Sequence, residues 1–192
     1  VNDKNFIWDR LVRITHWLVA LGCIINIFIV RPGSIIHQIT GYIIFSLVII
    51  RLLWGIIGAK FPARVRDMIP TILGMKIHIE EIRNREHKTI GHNAFGLLFI
   101  WSAWLLIIAI AGTGYMAALT TETGSIIPAV NEYIFDLAYD YQLYHYNFSE
   151  LHGLLVNILE VLIILHILAV FLTSKWLKHN YIRAMIHKTK NK

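Results

Sequence analysis

The stretch SELHGLLVNILEVLIILHILAVF, residues 149–171, decides the fold of this chain. It is almost wholly apolar, yet it carries His152, Glu160 and His166. A run of about 20 apolar residues spans a bilayer core as an α-helix. On a helix, the step from His152 to His166 turns through about 1400°, roughly 40° short of four full turns. Both imidazoles therefore lie on nearly one face, roughly 21 Å apart along the axis. That separation is about two thirds of a hydrocarbon core of roughly 30 Å.

Three further stretches resemble this one, at about 14–30, 35–58 and 93–119, and the quoted run itself extends over about 151–174. They explain why 56% of the 192 residues are hydrophobic and only 16% charged. A soluble domain carries closer to ~25% charged residues. The runs are too long and too uniformly apolar for the period of two that strands require. The expected fold is all-α: an integral membrane four-helix bundle in a single domain over residues 1–192.

Charge predicts the orientation. Lys4, Arg10 and Arg13 precede the first span, and Lys60, Arg64, Arg66, Lys76, Arg83, Arg85 and Lys88 lie between the second and third. Lys175, Lys178, Arg183, Lys188, Lys190 and Lys192 follow the fourth. Residues 113–150 contain no Lys or Arg, but carry Glu122, Glu132, Asp136, Asp140 and Glu150. Basic loops stay in the cytoplasm. Both termini are expected there, with the acidic loop outside. The net charge of +6 follows from this orientation and does not indicate nucleic-acid binding. The first apolar run leads into polar, functional-looking residues with no small-residue cleavage site, so it reads as a span and not as a signal peptide. Cys23 is the only cysteine, and there is no C-x-x-C-H for covalent haem attachment.

The inner connection, 60–90, shows Met68, Ile72, Met75, Ile79 and Ile82 at spacings of three and four. This pattern predicts an amphipathic helix at the inner interface, with Pro70 in its first turn and His78 and His87 as interfacial side chains. The outer loop contains EYIFDLAYDYQLYHYNF. Its aromatics suit a membrane interface, and its acids suit docking of a basic partner.

Ionisable residues inside a membrane point to function. His37, in SIIHQITGYI, lies near the outer end of the second span, level with His152. His16, in VRITHWLVA, lies near the inner start of the first, level with His166. Two imidazoles facing each other across an apolar gap are what a low-spin b-type haem needs. Gly41 follows His37 by one turn, and Gly153 adjoins His152, so a macrocycle can approach the backbone there. Arg51 lies fourteen residues after His37. It faces either an inner propionate or the interface. A zinc or proton path is the competing reading, but it needs acids close to the histidines, and Glu160 is the one acid in the spans. Glu160 fits a hydrogen bond to Asn26 or Asn157, or a quinone or proton site.

Taken together, WDRLVRITHW, HQITGYIIFSLVIIRLLWGIIG, GHNAFG and LHGLLVN…LHILAV…YIRAMI resemble the bacterial cytochrome b561 and nickel-hydrogenase b-type cytochrome family. The resemblance covers nearly the whole chain, and it implies a bacterial inner membrane. It implies two haems b, with His16 and His166 on the inner iron and His37 and His152 on the outer. His92, in GHN, is a further candidate beside the inner haem, or its ligand in place of His16. Many members place proline after this motif, where Ala94 stands here. The implied function is respiratory electron transport in lipid, between the quinone pool (quinone or quinol as substrate) and an extracytoplasmic redox protein such as a c-type cytochrome. The alternatives are a membrane anchor for a hydrogenase or other dehydrogenase, and an oxidoreductase acting on superoxide or quinol at a haem edge.

Overall fold

The computed structural model describes residues 8–86, 91–120, 124–129, 134, 136, 147–178 and 181–186. Most of the tyrosine- and acid-rich loop, including Glu122, Glu132 and Asp140, lies outside the described residues, as does His87. The described residues form helices only: α1 (Arg10–Phe28), α2 (Ile35–Ile57), a 3-10 turn (Val65–Asp67), α3 (Ile72–Asn84), α4 (Ala94–Leu119), α5 (Phe148–Trp176) and α6 (Tyr181–Ile186). Helices α1, α2, α4 and α5 are each long and apolar enough to cross a membrane.

Each of the four begins at a polar cap. A helix start leaves backbone N–H groups without intrahelical acceptors, and a side-chain oxygen satisfies one of them. Asp9 Oδ1 accepts from Val12 N at 2.9 Å, and Ser34 Oγ from His37 N at 3.2 Å. Asn93 Oδ1 accepts from Gly96 N at 2.8 Å, and Asn147 Oδ1 from Ser149 N at 2.9 Å. The first helix therefore starts at Arg10, ahead of the apolar run at Ile14.

The chain's contacts fall into two compact units. One comprises the described residues of Val1–His16, Ile49–Ser102 and Leu162–Lys192; the other comprises Trp17–Val48 and those of Ala103–Val161. In the first unit Trp8, Val12 and Ala63 form a buried cluster against Trp54, Ala59 and Met185. Trp54 Nε1 donates to Asp9 Oδ2 at 3.1 Å, so Asp9 both caps α1 and receives α2. Gly91, in GHNAFG, has φ +91°, and a Cβ there would stand 2.5 Å from Pro62 Cγ. Its lack of a side chain allows both the turn and the close approach.

The inner connection differs from its sequence reading. Thr71 caps α3, with its side chain accepting from Gly74 N, so Pro70 stands before the helix and not in its first turn. Of the apolar stripe, Met68 is buried ahead of the helix, while Ile72 and Ile79 are exposed. The residues of α3 turned inward are His78 and Glu81, each 3% exposed, with His78 Nδ1 3.0 Å from Glu81 Oε2. His78, expected to be interfacial, is instead covered, and its ring lies 5.9 Å from that of Phe95. A buried carboxylate requires a donor, and the imidazole one turn away supplies it. The far end of α3 is tied to α5: Trp176 Nε1 donates to Ile82 O at 2.8 Å, and Arg85 lies 4.4 Å over the Trp176 ring.

Tight packing in the first unit makes a checkable prediction. A Cβ at Gly55 would lie 2.8 Å from Val65 Cγ2 and 2.9 Å from an Arg51 guanidinium nitrogen. Overpacking of this kind costs about 1–3 kcal/mol. Gly55→Val should lower the thermal unfolding midpoint in detergent by a corresponding amount, and an unchanged midpoint would contradict the packing described.

Candidate functional site

In the second unit α2 and α5 bring His37 and His152 together. Their ring centroids are 6.0 Å apart and their planes cross at 73°. Two imidazole nitrogens, each about 2 Å from a shared metal ion, place ring centroids about 6 Å apart once each ring's radius of roughly 1 Å is added. The observed spacing leaves room for one ion between the two rings.

The His152 ring is held in one orientation. Its Nδ1 lies 3.0 Å from Ile110 O. A carbonyl only accepts, so Nδ1 carries the proton, and the lone pair is left on Nε2. A backbone acceptor behind the ring is the usual support of a metal-bound histidine. Thr113 Oγ1 stands 3.5 Å from the same nitrogen and donates to Ala109 O at 2.9 Å. Gly114 lets α4 approach: a Cβ there would lie 2.9 Å from His152 Cε1. No atom lies within 4 Å of a Cβ placed at Gly153, and at Gly41 only the Asn26 amide does, at 3.7 Å. His37 Nδ1 and Asn26 Oδ1 are buried without a hydrogen-bond partner. A buried polar atom left without a partner is costly unless another group meets it. These residues fit a flat, metal-centred cofactor.

The first unit holds the other set. His16, on α1, and His166, on α5, are within electrostatic reach of each other, and both act on His92. His166 stacks on Phe99 at 4.1 Å and 14°, and His92 stacks on Trp8 at 4.2 Å and 25°. Burial, followed by the Arg51 charge and the neighbouring His16 and His166, pushes the His92 pKa down to about 3. His92 is therefore neutral at physiological pH, in the form that can offer a lone pair. Arg51 is only 5% exposed and donates through one guanidinium nitrogen to Ala63 O at 3.0 Å. It is thus drawn into protein and not out to the membrane surface.

The remaining sequence candidates lie in the unit of the His37/His152 pair. Glu160 is half-buried and Asn157 exposed on α5, while Asn26 lies beside Gly41. Among the described residues, no three His, Cys, Asp or Glu side chains converge as a protein-only metal site. Sequence reasoning missed the Ile110 carbonyl, which carries no side-chain signal. It also missed Gly114, whose importance follows from the helix facing it, and the aromatic faces of Phe99 and Trp8.

Four apolar helices with paired histidines fit the class of membrane-embedded haem proteins. The family profile described as prokaryotic cytochrome b561 matches residues 7–188, and the chain belongs to that family. No curated protein and no solved structure matches it at significance. Membership makes it a membrane b-type cytochrome, a haem-b-binding electron-transfer protein.

Gly114→Val should push the His152 ring from α4 and lower the haem-to-protein ratio of the purified protein. Gly112→Ala, where a Cβ would meet nothing within 4 Å, should leave the ratio unchanged. Equal haem content in both variants would contradict the contact between α4 and His152.

Proposed function

We propose that the chain is a two-haem transmembrane electron carrier, linking the quinone pool to an extracytoplasmic redox protein such as a c-type cytochrome. The carrying observation is the His37/His152 pair, at metal-sharing distance and with the His152 proton fixed on Nδ1. A second histidine set in the other compact unit supports a second haem, with His16 and His166 as its ligands and His92 beside them.

Haem b supplies one-electron chemistry when bound. The protein's part is to hold and tune it. His37 and His152 would each offer the iron one ring nitrogen, and the Ile110 carbonyl would keep His152 in the tautomer that binds metal. Gly41 and Gly153 leave room beside the ligands. Phe99 fixes the plane of the His166 imidazole by stacking. Arg51 places a buried positive charge in the unit that holds His16 and His166, where it favours the less positive, reduced iron. With basic connections in the cytoplasm, His37 and His152 lie toward the outside and His16 and His166 toward the inside. The acids of residues 113–150 then face outward. They attract a partner with a basic patch, and exposed charges of one sign speed such encounters.

A reduced-minus-oxidised spectrum with a haem-to-protein ratio should give two b-type haems per chain; one haem would overturn the reading. His37→Ala and His152→Ala should remove the same spectral component, and His16→Ala and His166→Ala the other. Loss of one component by both His37→Ala and His166→Ala would refute the pairing.

A redox titration tests Arg51. Arg51→Gln should lower the potential of the component lost in His166→Ala and leave the other nearly unchanged, whereas Arg51→Lys, which keeps the charge, should restore most of it. Equal shifts in both components would remove Arg51 from the inner site.

A further inference from the structure

The described part of the connection between α4 and α5, residues 124–129, is fastened at two points. Gln38, only 9% exposed, uses both ends of its amide on this backbone. Its Nε2 donates to Gly124 O at 2.8 Å, and its Oε1 accepts from Ile126 N at 3.0 Å. Further along, Tyr115 Oη donates to Pro128 O at 3.1 Å. Gly124 has φ +70°, a conformation that glycine adopts without strain. The side chains of Ile126 and Ile127 stay 41% and 43% exposed. The strap thus offers its backbone to the helices and its isoleucines to the surroundings.

Both anchors adjoin the His37/His152 pair along the chain. Gln38 follows His37, and Tyr115 follows Gly114, the residue against which the His152 ring packs. One anchor is on α2 and the other on α4, so residues 124–128 bridge these helices at the end where the paired histidines lie. Both ends of the Gln38 amide are thus met by one three-residue segment.

We propose that Gln38 is a positioning residue for the His37/His152 site, pinning residues 124–128 as the wall that keeps water from it. The inference rests on reading that pair as haem ligands. The shell around a metal site controls solvent access and local dielectric, and through them the reduction potential. Water entering past a loosened strap stabilises the more charged, oxidised iron, and a small polar oxidant gains access by the same route.

The test uses the haem-loaded protein and two variants. Gln38→Met keeps the volume and removes both amide bonds; Tyr115→Phe removes the other fastening without altering α2. Amide hydrogen exchange at Ile126 reports the pin directly. Losing two hydrogen bonds should speed it on the order of tenfold. The spectral component lost in His37→Ala should then titrate at lower potential in Gln38→Met. Ferricyanide should oxidise that component several-fold faster in the reduced protein, with the other component unmoved. Tyr115→Phe should shift the same three readouts in the same directions by less. Unchanged Ile126 exchange in Gln38→Met overturns the pin. Faster exchange with unaltered potential and ferricyanide rate overturns the wall, and equal shifts in both components overturn the assignment to this site. If His37→Ala and His152→Ala remove different components, the ligand reading fails and the proposal with it, while Ile126 exchange still reports the pin separately.

Discussion

Hydrocarbon offers no hydrogen bonds, so a polar group in one of the long helices must find its partner inside the protein. The threonine hydroxyls solve this locally, by donating back to their own helix: Thr15 to Leu11 O, Thr40 to Ile36 O, Thr113 to Ala109 O and Thr173 to Ala169 O. Larger polar groups need a second segment. Arg51 reaches the Ala63 carbonyl, Gln38 the backbone at Gly124 and Ile126, and His152 the Ile110 carbonyl. The bonds of Gln38 and His152 join parts of the chain far apart in sequence, and that of Arg51 ties α2 to the connection after it, so each also fixes tertiary structure. The apolar side chains face the other way: Ile57, Phe28 and Ile56 are among the most exposed large hydrophobic residues, and Ile167 is exposed too.

Close approach is the second requirement, and glycine meets it. In a membrane, helices gain little from the hydrophobic effect and associate through van der Waals contact and small residues. Gly22 admits Ile44, Gly55 admits Val65 and Arg51, and Gly114 admits the His152 ring. The last contact links packing to function, because it lets the carbonyl of Ile110 reach the imidazole. The same glycine therefore supports the helix contact and the orientation of a proposed ligand.

The two histidine sets sit in different surroundings. One is an edge-on pair with a backbone carbonyl behind His152 and space beside Gly41 and Gly153. The other has aromatic faces against His92 and His166 and a buried arginine acting on it. On the proposed two-haem reading, a carbonyl-supported site and a site under positive charge differ in reduction potential, as a directional carrier requires. The His78–Glu81 pair adds a buried titratable couple to the unit with the arginine. Its ring neighbour Phe95 lies one helical turn before Phe99, which stacks on His166.

Sequence alone determined the class of this protein. Four apolar runs of membrane length dictate long helices, because only internal backbone bonding survives in lipid. Helical periodicity puts His152 and His166 on one side of α5, and the motif order carries the family. Charge bias set an expected orientation, and facing histidines at matched levels were an inference from those two rules. Other features had no expression in local sequence. That His37 and His152 stand 6.0 Å apart depends on how α2 and α5 pack. The proton position on His152 depends on a carbonyl, which every residue possesses and which no side chain reveals. Arg51 was open between an inner propionate and the interface, and His78 was expected at the interface but lies under cover, because amphipathic patterns define a face and not its neighbour. Periodicity fixes direction about one helix axis; partners belong to the packing between helices, where distance and hydrogen-bond complementarity decide.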